Sequence, residues 1–373
     1  MNKKFLAVAV ASVLAAPATA LAQVTISGIF KVGIDQYKIS NTARAGNTNE
    51  MRITDNSSRV IIGVSEDLGG GLAAIGQWDI RGAMDSGGFN PTSSTVSSTS
   101  SSISNSGNTW VGLRSNSWGT LTLGRHDLHY GKQPDDIGAK AGALMAASIS
   151  LMDFANAGGT PIAGATRTPN VVRWDSNVIG GFTITAEYST GTSALEGDLG
   201  GTSKGNAYNL NPQFTASNWQ VGASLWNAKA EGTGAEQAGT VIYGYWRMGG
   251  WKFGVATNSS KISNAAGADT SDRSAWTVPI SYTTGAHNFY AHYTKAGDDD
   301  IIAGDNAAKM MAFAYVYDLS KRTSAGVTYA KIDNSAAAAY NFFTNTGGLG
   351  STGSTMTAGE DGTLIAFTLR HAF

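Results

Sequence analysis

Few side chains in this sequence have the types and spacing that chemistry needs. There are five histidines and no cysteine, so thiol catalysis, disulfides and cysteine-held metals drop out at once. His126 and His129 flank Asp127 as the one closely spaced pair. Zinc and related metals take three or four ligands at fixed geometry, no further ligand stands at a suitable spacing, and a polar lining role is the stronger reading. Asp298, Asp299 and Asp300, with Asp305 nearby, could hold calcium or bridge phosphates through a divalent ion. They lack the EF-hand spacing, so a solvated loop is the stronger reading and no metal or cofactor is expected. His287, His292 and His371 show no triad partners at a recognisable nucleophile motif, and an enzyme is not expected.

What remains is electrostatic, and it depends on alternation. Val60 and Ile62, Trp78 and Ile80, Val111 and Leu113, and Val172 and Trp174 fall on one face of their segments. A period of two then puts Arg59, Arg81, Arg114 and Arg173 on the other face, with Asp79, Asp175 and Glu187. The same alternation runs through Phe182 to Ser189, Trp219 to Asn227, Arg322 to Tyr329 and the C-terminal Thr363 to Phe373.

Each such segment alone also fits a half-buried strand of a soluble sandwich, and only the count and spacing of the segments separate the two. No stretch beyond the N-terminus approaches the ~20 apolar residues of a spanning helix, so lipid would be crossed only by a closed barrel. Charged residues make up 14%, well below the ~25% of soluble domains, while glycine reaches 47 and proline only 7. Tight turns read near 67–71, 115–119, 177–181, 216–218, 248–250, 284–286 and 318–321. Longer loops fall near 39–48, 84–107, 128–168, 193–204, 232–237, 263–272, 298–306 and 333–361. The alternation predicts an all-β transmembrane antiparallel barrel of about 16 strands with both termini on the short-turn, periplasmic side. Trp118, Trp174, Tyr188, Trp219, Trp251, Tyr293 and Tyr317 fall near strand ends, where aromatic girdles sit. A net charge of −1 without a basic block argues against a nucleic-acid partner.

Two lysines within Met1 to Lys4, an apolar run from Phe5 to Ala16 and the triplet Ala20-Leu21-Ala22 read as a signal peptide cleaved after Ala22. The expected division is 1–22 as leader and 23–373 as barrel. The serine- and threonine-rich segment 92–108 is expected to be a solvated loop, with a latch over a neighbouring subunit as the alternative.

The motifs then point to a family. Val24-Thr25-Ile26-Ser27-Gly28, the run SSRVIIGVSEDLGGGLAAIGQWD over 57–79, WVGLRSNSWGTLTLGR over 110–125, NVVRWDS over 170–176, DLSKRT over 318–323 and the terminal LRHAF resemble the general porins of beta-proteobacteria and Neisseria. The resemblance implies trimeric, sixteen-stranded diffusion pores in the outer membrane, passing ions and small hydrophilic solutes, among lipid and lipopolysaccharide. It implies a third loop folded inward, wall arginines at Arg59 and Arg173, a wall acid at Asp79, and a terminal Phe373 read by the barrel-insertion machinery. The loop opens at Arg125 and Asp127. It is expected to bring Lys132, Lys140 and Arg167 against Asp135, Asp136 and Asp153, leaving the wall arginines to set a mild anion preference. This chain departs from the pattern in two places: Lys31 stands where the family has an acid, and Gly107-Asn108 where it has an arginine. An outer-membrane barrel enzyme and a soluble ligand-binding β-protein are the alternatives, separable by a hydrolysis assay and by partition into detergent.

Overall fold

A computed structural model describes residues 22–43, 48–82, 84–85, 107–129, 131–134, 137–152, 167–192, 205–343 and 356–373. The strands are β1 (Gln23–Ser40), β2 (Asn49–Asp55), β3 (Arg59–Gly69), β4 (Leu72–Arg81), β5 (Thr109–Ser115), β6 (Gly119–Asp127), β7 (Arg167–Asp175), β8 (Phe182–Ser189) and β9 (Asn206–Thr215). They continue as β10 (Trp219–Lys229), β11 (Glu236–Met248), β12 (Trp251–Ser263), β13 (Asp269–Thr284), β14 (His287–Ala296), β15 (Ala308–Asp318), β16 (Thr323–Asn334) and β17 (Asp361–Ala372).

Neighbours in sequence pair antiparallel, and β1 pairs with β17 from Ile29↔Ala372 to Ser40↔Asp361. That last ladder closes the sheet and leaves no edge. Seventeen segments make sixteen staves, because β2 and β3 lie end to end along β1, whose Val32–Lys38 pairs β2 and whose Gln23–Ile29 pairs β3. The interruption has a local cause. The Asp55 carboxylate accepts the N–H groups of Ser57 (2.8 Å) and Ser58 (3.0 Å), an Asx-type turn, and Ser57 takes φ 74°. The expected strand from residue 49 to the first turn therefore breaks once. All seven tight turns and all eight longer connections fall where the sequence pattern puts them.

Alternation decides which side chains meet lipid. Val111 (62% exposed), Phe313, Val327, Phe367 and Trp219 point outward, while their neighbours in sequence point into the barrel. The interior is partly filled by the loop between β6 and β7. Its residues Leu128, Ile137, Ala141, Met145, Leu151 and Met152 are buried, with a short helical turn at Ile149–Met152. The expected inward fold of this third loop is present. The connection from β16 to β17 adds Tyr340, Phe342 and Met356 to the same core, with Phe342 edge-on to Tyr37 at 5.8 Å.

Candidate functional site

The site is the passage between the third loop and the wall formed by β1, β3, β4, β6 and β7. Strand pairing builds the wall: Ile29 stands opposite Arg59 on one side of β3, and Arg59 stands opposite Arg81 on the other. On β1, Lys31 stands opposite Arg370 of β17. All four cations face the lumen. A cavity of about 210 Å³ is lined by Lys31, Arg59, Arg81, Arg167 and Asp127 of the wall, and by Gly138, Ala139 and Leu144 of the loop.

The loop is held against this passage by specific bonds to the wall. Lys31 Nζ donates to the Gly138 carbonyl, and the Leu144 N–H donates to Asn56 Oδ1 at 2.8 Å. On the far wall the Ala143 N–H donates to Thr328 Oγ1 (3.2 Å), Arg273 Nη1 to the Leu151 carbonyl (3.0 Å) and Asn258 Nδ2 to the Met152 carbonyl (2.6 Å). Loop carbonyls inside a barrel need such partners, since water reaches them poorly.

The charges pair unevenly. Arg81 grips Asp79 with both nitrogens, Nε to Oδ1 at 2.9 Å and Nη2 to Oδ2 at 2.8 Å, the strong fork geometry of arginine and carboxylate. Gly107 allows it: a Cβ there would lie 2.0 Å from the Asp79 carboxyl carbon. Arg173 is held by Asp175 at 2.7 and 2.8 Å and by Glu187 at 3.1 Å. Arg59, by contrast, donates among the described residues only to the carbonyl and hydroxyl of Ser57, at 3.3 and 3.2 Å.

Arg125 sits at the bulge between Gly124 and His126, beside Arg167 and Asp127. Asp127 accepts from Asn108 Nδ2 at 3.0 Å while its own N–H donates to Asn108 Oδ1 at 2.9 Å. The Asn108 side chain thus clamps the root of the loop. Arg114 pairs with Ala73 and Thr120 next to the tight turn, so it lines the periplasmic mouth. Asp135, Asp136 and Asp153 lie outside the described residues. Two expectations about the loop need correction. Arg167 belongs to β7 because its backbone pairs with Asp127, and Lys140 bonds the wall acid Asp318 at 3.0 Å. Lys31 stands out in the sequence as a departure and not as a site residue; its odd position on β1, shared with Asp35 and Tyr37, is the signal that puts it in the lumen.

The histidines and acids singled out earlier have other partners. His126 stacks on Trp110 at 6.1 Å and bonds Thr122, whereas His129 stacks on Trp226 at 5.5 Å and bonds Ser224. Asp298 accepts backbone N–H groups of Asn306 and Ala307, so it organises its own loop. At the seam, the Phe373 N–H donates to the Gly28 carbonyl (3.1 Å) and the Gly28 N–H to the Phe373 carbonyl (3.2 Å).

Comparison with known proteins agrees with this geometry. A family model described as Gram-negative porin matches residues 7–337. The fold is similar to the anion-selective porin from Comamonas acidovorans at 20% identity and TM-score 0.74, covering 94% of this chain and 100% of that one. It is also similar to OmpT of Vibrio cholerae in its trimer form, at 13% identity and TM-score 0.63, covering 94% and 99%. The outer membrane channel DcaP of Acinetobacter baumannii follows at 12% identity and TM-score 0.55, covering 93% and 97%. No curated protein sequence matches. The family match over most of its length, on a closed barrel with a lumen and an inward loop, establishes that the chain belongs to the Gram-negative porins, outer-membrane channels for passive diffusion and not enzymes.

Proposed function

We propose that this porin prefers anions, and that Lys31 and Arg59 set the preference. The observation that carries the reading is the uneven pairing at the passage. Asp79 is taken by Arg81 and the acids Asp175 and Glu187 are taken by Arg173. Among the described residues, Lys31 and Arg59 have no carboxylate within salt-bridge distance. Charges lining a narrow pore select ions through local potential. The Comamonas porin, itself anion-selective by description, supports the reading by likeness of fold alone. This shifts the expectation that all four wall arginines act together: Arg173 is neutralised and Arg114 lies at the mouth.

Reversal potentials across a KCl gradient test the proposal. The wild type is expected to favour chloride, and Lys31→Gln with Arg59→Gln to move the potential toward potassium. Because the Debye length is ~8 to ~10 Å at ordinary ionic strength, the preference should weaken as salt rises. Potassium preference in the wild type, or no movement in the double variant, overturns it.

The assembly is proposed to be a homotrimer, supported by the trimer form of the related OmpT fold, and unheated gels should then show a slow, compact band. The leader is proposed to end at Ala22. Strand β1 begins at Gln23, and N-terminal sequencing of envelope protein should start there.

A further inference from the structure

The root of the third loop is seated by one side chain. His129, two residues past the end of β6, reaches the wall of β9 to β12, where it is 2% exposed. Its ring lies flat on Trp226 of β10, at 5.5 Å between centroids and 14° between planes. Leu128, Val171, Ala207 and Ala228 form an apolar cluster with the indole. Gly239 of β11 stands opposite Trp226, and a Cβ there would lie 2.7 Å from His129 Nε2, so the glycine makes room for the ring.

The hydrogen bonds fix the protonation state that this seat accepts. Ser224 Oγ accepts from Asn209 Nδ2 at 2.7 Å and lies 2.9 Å from His129 Nδ1. With its oxygen so engaged, the hydroxyl gives its hydrogen to Nδ1, which places the ring's own hydrogen on Nε2, toward the Asn258 side chain of β12. The neutral ring fits. A second proton, on Nδ1, turns that acceptor into a donor and leaves the serine hydrogen without an acceptor in a buried place.

The surroundings do not answer a positive charge either. The seat on β9 to β12 is built from Asn209, Ser224, Trp226, Gly239 and Asn258, all uncharged. Glu187 of β8 stands opposite Asn209 but is held by Arg173 at 3.1 Å, and Asp127 at the loop root is bonded by Asn108 at 3.0 Å. Burial pushes the His129 imidazole down to about 4, with the Asn258 side chain opposing and the Lys132 ammonium of the same loop adding to it. A depressed folded value means the seat is at full strength above the free imidazole value of ~6.5. It weakens as pH falls from there towards the folded value, by up to about tenfold per unit. His292, on the far wall, differs: its Nε2 donates to the Ala146 carbonyl at 2.7 Å, a contact that a charged ring also makes.

We propose that His129 is an acid-sensitive latch of the third loop, whose protonation frees the loop root from β9 to β12 so that it enters the passage and closes the pore. Packing gives the direction. Behind the root stands the barrel wall, and the open space lies on the side of Lys31, Arg59 and Arg167, where the cavity of about 210 Å³ is. The latch does not depend on which ion the passage prefers.

The test records the full protein in planar bilayers under symmetrical KCl, where ion preference does not enter the reading. The wild type is expected to be open at pH 7 and to raise its closed fraction at least about tenfold by pH 4.5. His129→Gln keeps a hydrogen-bonding side chain but takes no proton, and should lose the rise. Ser224→Asp should lose it too, because its carboxylate answers the imidazolium in place. His126→Gln should keep it. Heat-modifiable bands on gels verify folding, and the two changes act on opposite partners, so either one that folds decides the matter. A closed fraction in the wild type that does not change with pH, an acid response that survives in folded His129→Gln or Ser224→Asp, or one that His126→Gln abolishes as well, overturns the latch.

Discussion

Arg59 and Arg81 stand directly opposite each other across the β3–β4 ladder, both toward the lumen, and a carboxylate grips only one of them. The Ser57 hydroxyl accepts from both, at 3.2 Å from Arg59 and 2.6 Å from Arg81. The positive φ at Ser57 that breaks β2 from β3 is what brings this hydroxyl beneath both guanidinium groups.

This asymmetry gives a prediction of opposite sign to the loss of Arg59. Asp79→Asn keeps an amide beside Arg81 but removes the negative charge, so the passage gains one net positive charge and chloride preference should rise. Removing one partner of a buried ion pair also costs about 3–5 kcal/mol where no water reaches it, and the water-filled lumen should reduce that penalty. Reversal potential in KCl reads the first effect and the urea midpoint of unfolding reads the second. An unchanged or potassium-ward potential would count against Asp79 as the acid that masks Arg81.

A second prediction concerns the seam. A Cβ on Gly28 would lie 2.4 Å from the Arg59 carbonyl oxygen and 2.5 Å from the ring of Phe373, which itself packs on Phe30 at 4.9 Å between centroids. Backbone cannot give way cheaply there, so Gly28→Leu should displace the terminal ring. Phe373→Ala should remove it without disturbing the wall. Both variants are expected to lower the heat-modifiable, folded fraction in envelope preparations, Gly28→Leu more severely. Normal surface levels of Gly28→Leu would show that the ring's seat is dispensable.

Much of this arrangement was legible in the sequence, and the illegible remainder has identifiable causes. Parity alone places Arg59, Asp79, Arg81 and Arg173 in the lumen, because one face meets lipid and a slip by one residue would invert every side chain. The pairings Asp79 with Arg81 and Arg173 with Asp175 were also within reach, since residues two apart on a strand share a face. The break after Asp55 was harder to see: it comes from an Asp and two serines bonding locally, without a glycine or proline to announce it. The path of the third loop was illegible because its anchors, Thr328, Asn258, Arg273 and Asn56, are scattered over three strands and the break, and only the closed barrel brings them together.

A third prediction follows from the loop between β14 and β15. Burial pushes the Asp299 carboxyl up, but the Ser271 hydroxyl and the N–H groups of Asp272, Ile301 and Ile302 outweigh it and leave the group below the usual carboxylate range. A depressed folded value means the stabilisation is fully present above the unfolded value of ~3.9 and is lost as pH falls through the folded one. Asp299→Asn should loosen residues 297–307 by about 1–2 kcal/mol at neutral pH, the scale of hydrogen bonds to a charged group. Hydrogen exchange corrected for intrinsic rates should show this gap at pH 7 and a smaller one at pH 3. An equal gap at both values would mean that the charge contributes nothing.

The last prediction tests whether the third loop is held by its apolar side as well as by its hydrogen bonds. Leu151 and Met152 are fully buried between the loop and the far wall, and their own backbone carbonyls accept from Arg273 and Asn258. Leu151→Ala leaves those bonds possible but opens a cavity, a change that costs about 2–5 kcal/mol in a packed core. Barrel closure depends on the β1–β17 ladder and not on the loop, so most of this cost should appear as local mobility, with the global unfolding midpoint little changed. Single-channel recordings are therefore expected to show more frequent brief closures at nearly unchanged open conductance, because a loosened loop samples positions across the passage beside Lys31 and Arg59. Substituting Arg273→Gln instead should weaken the polar anchor and give the same closures with a smaller packing loss. If Leu151→Ala lowers the global midpoint while the recordings stay quiet, the loop is part of the barrel's cooperative core and does not move as a separate element.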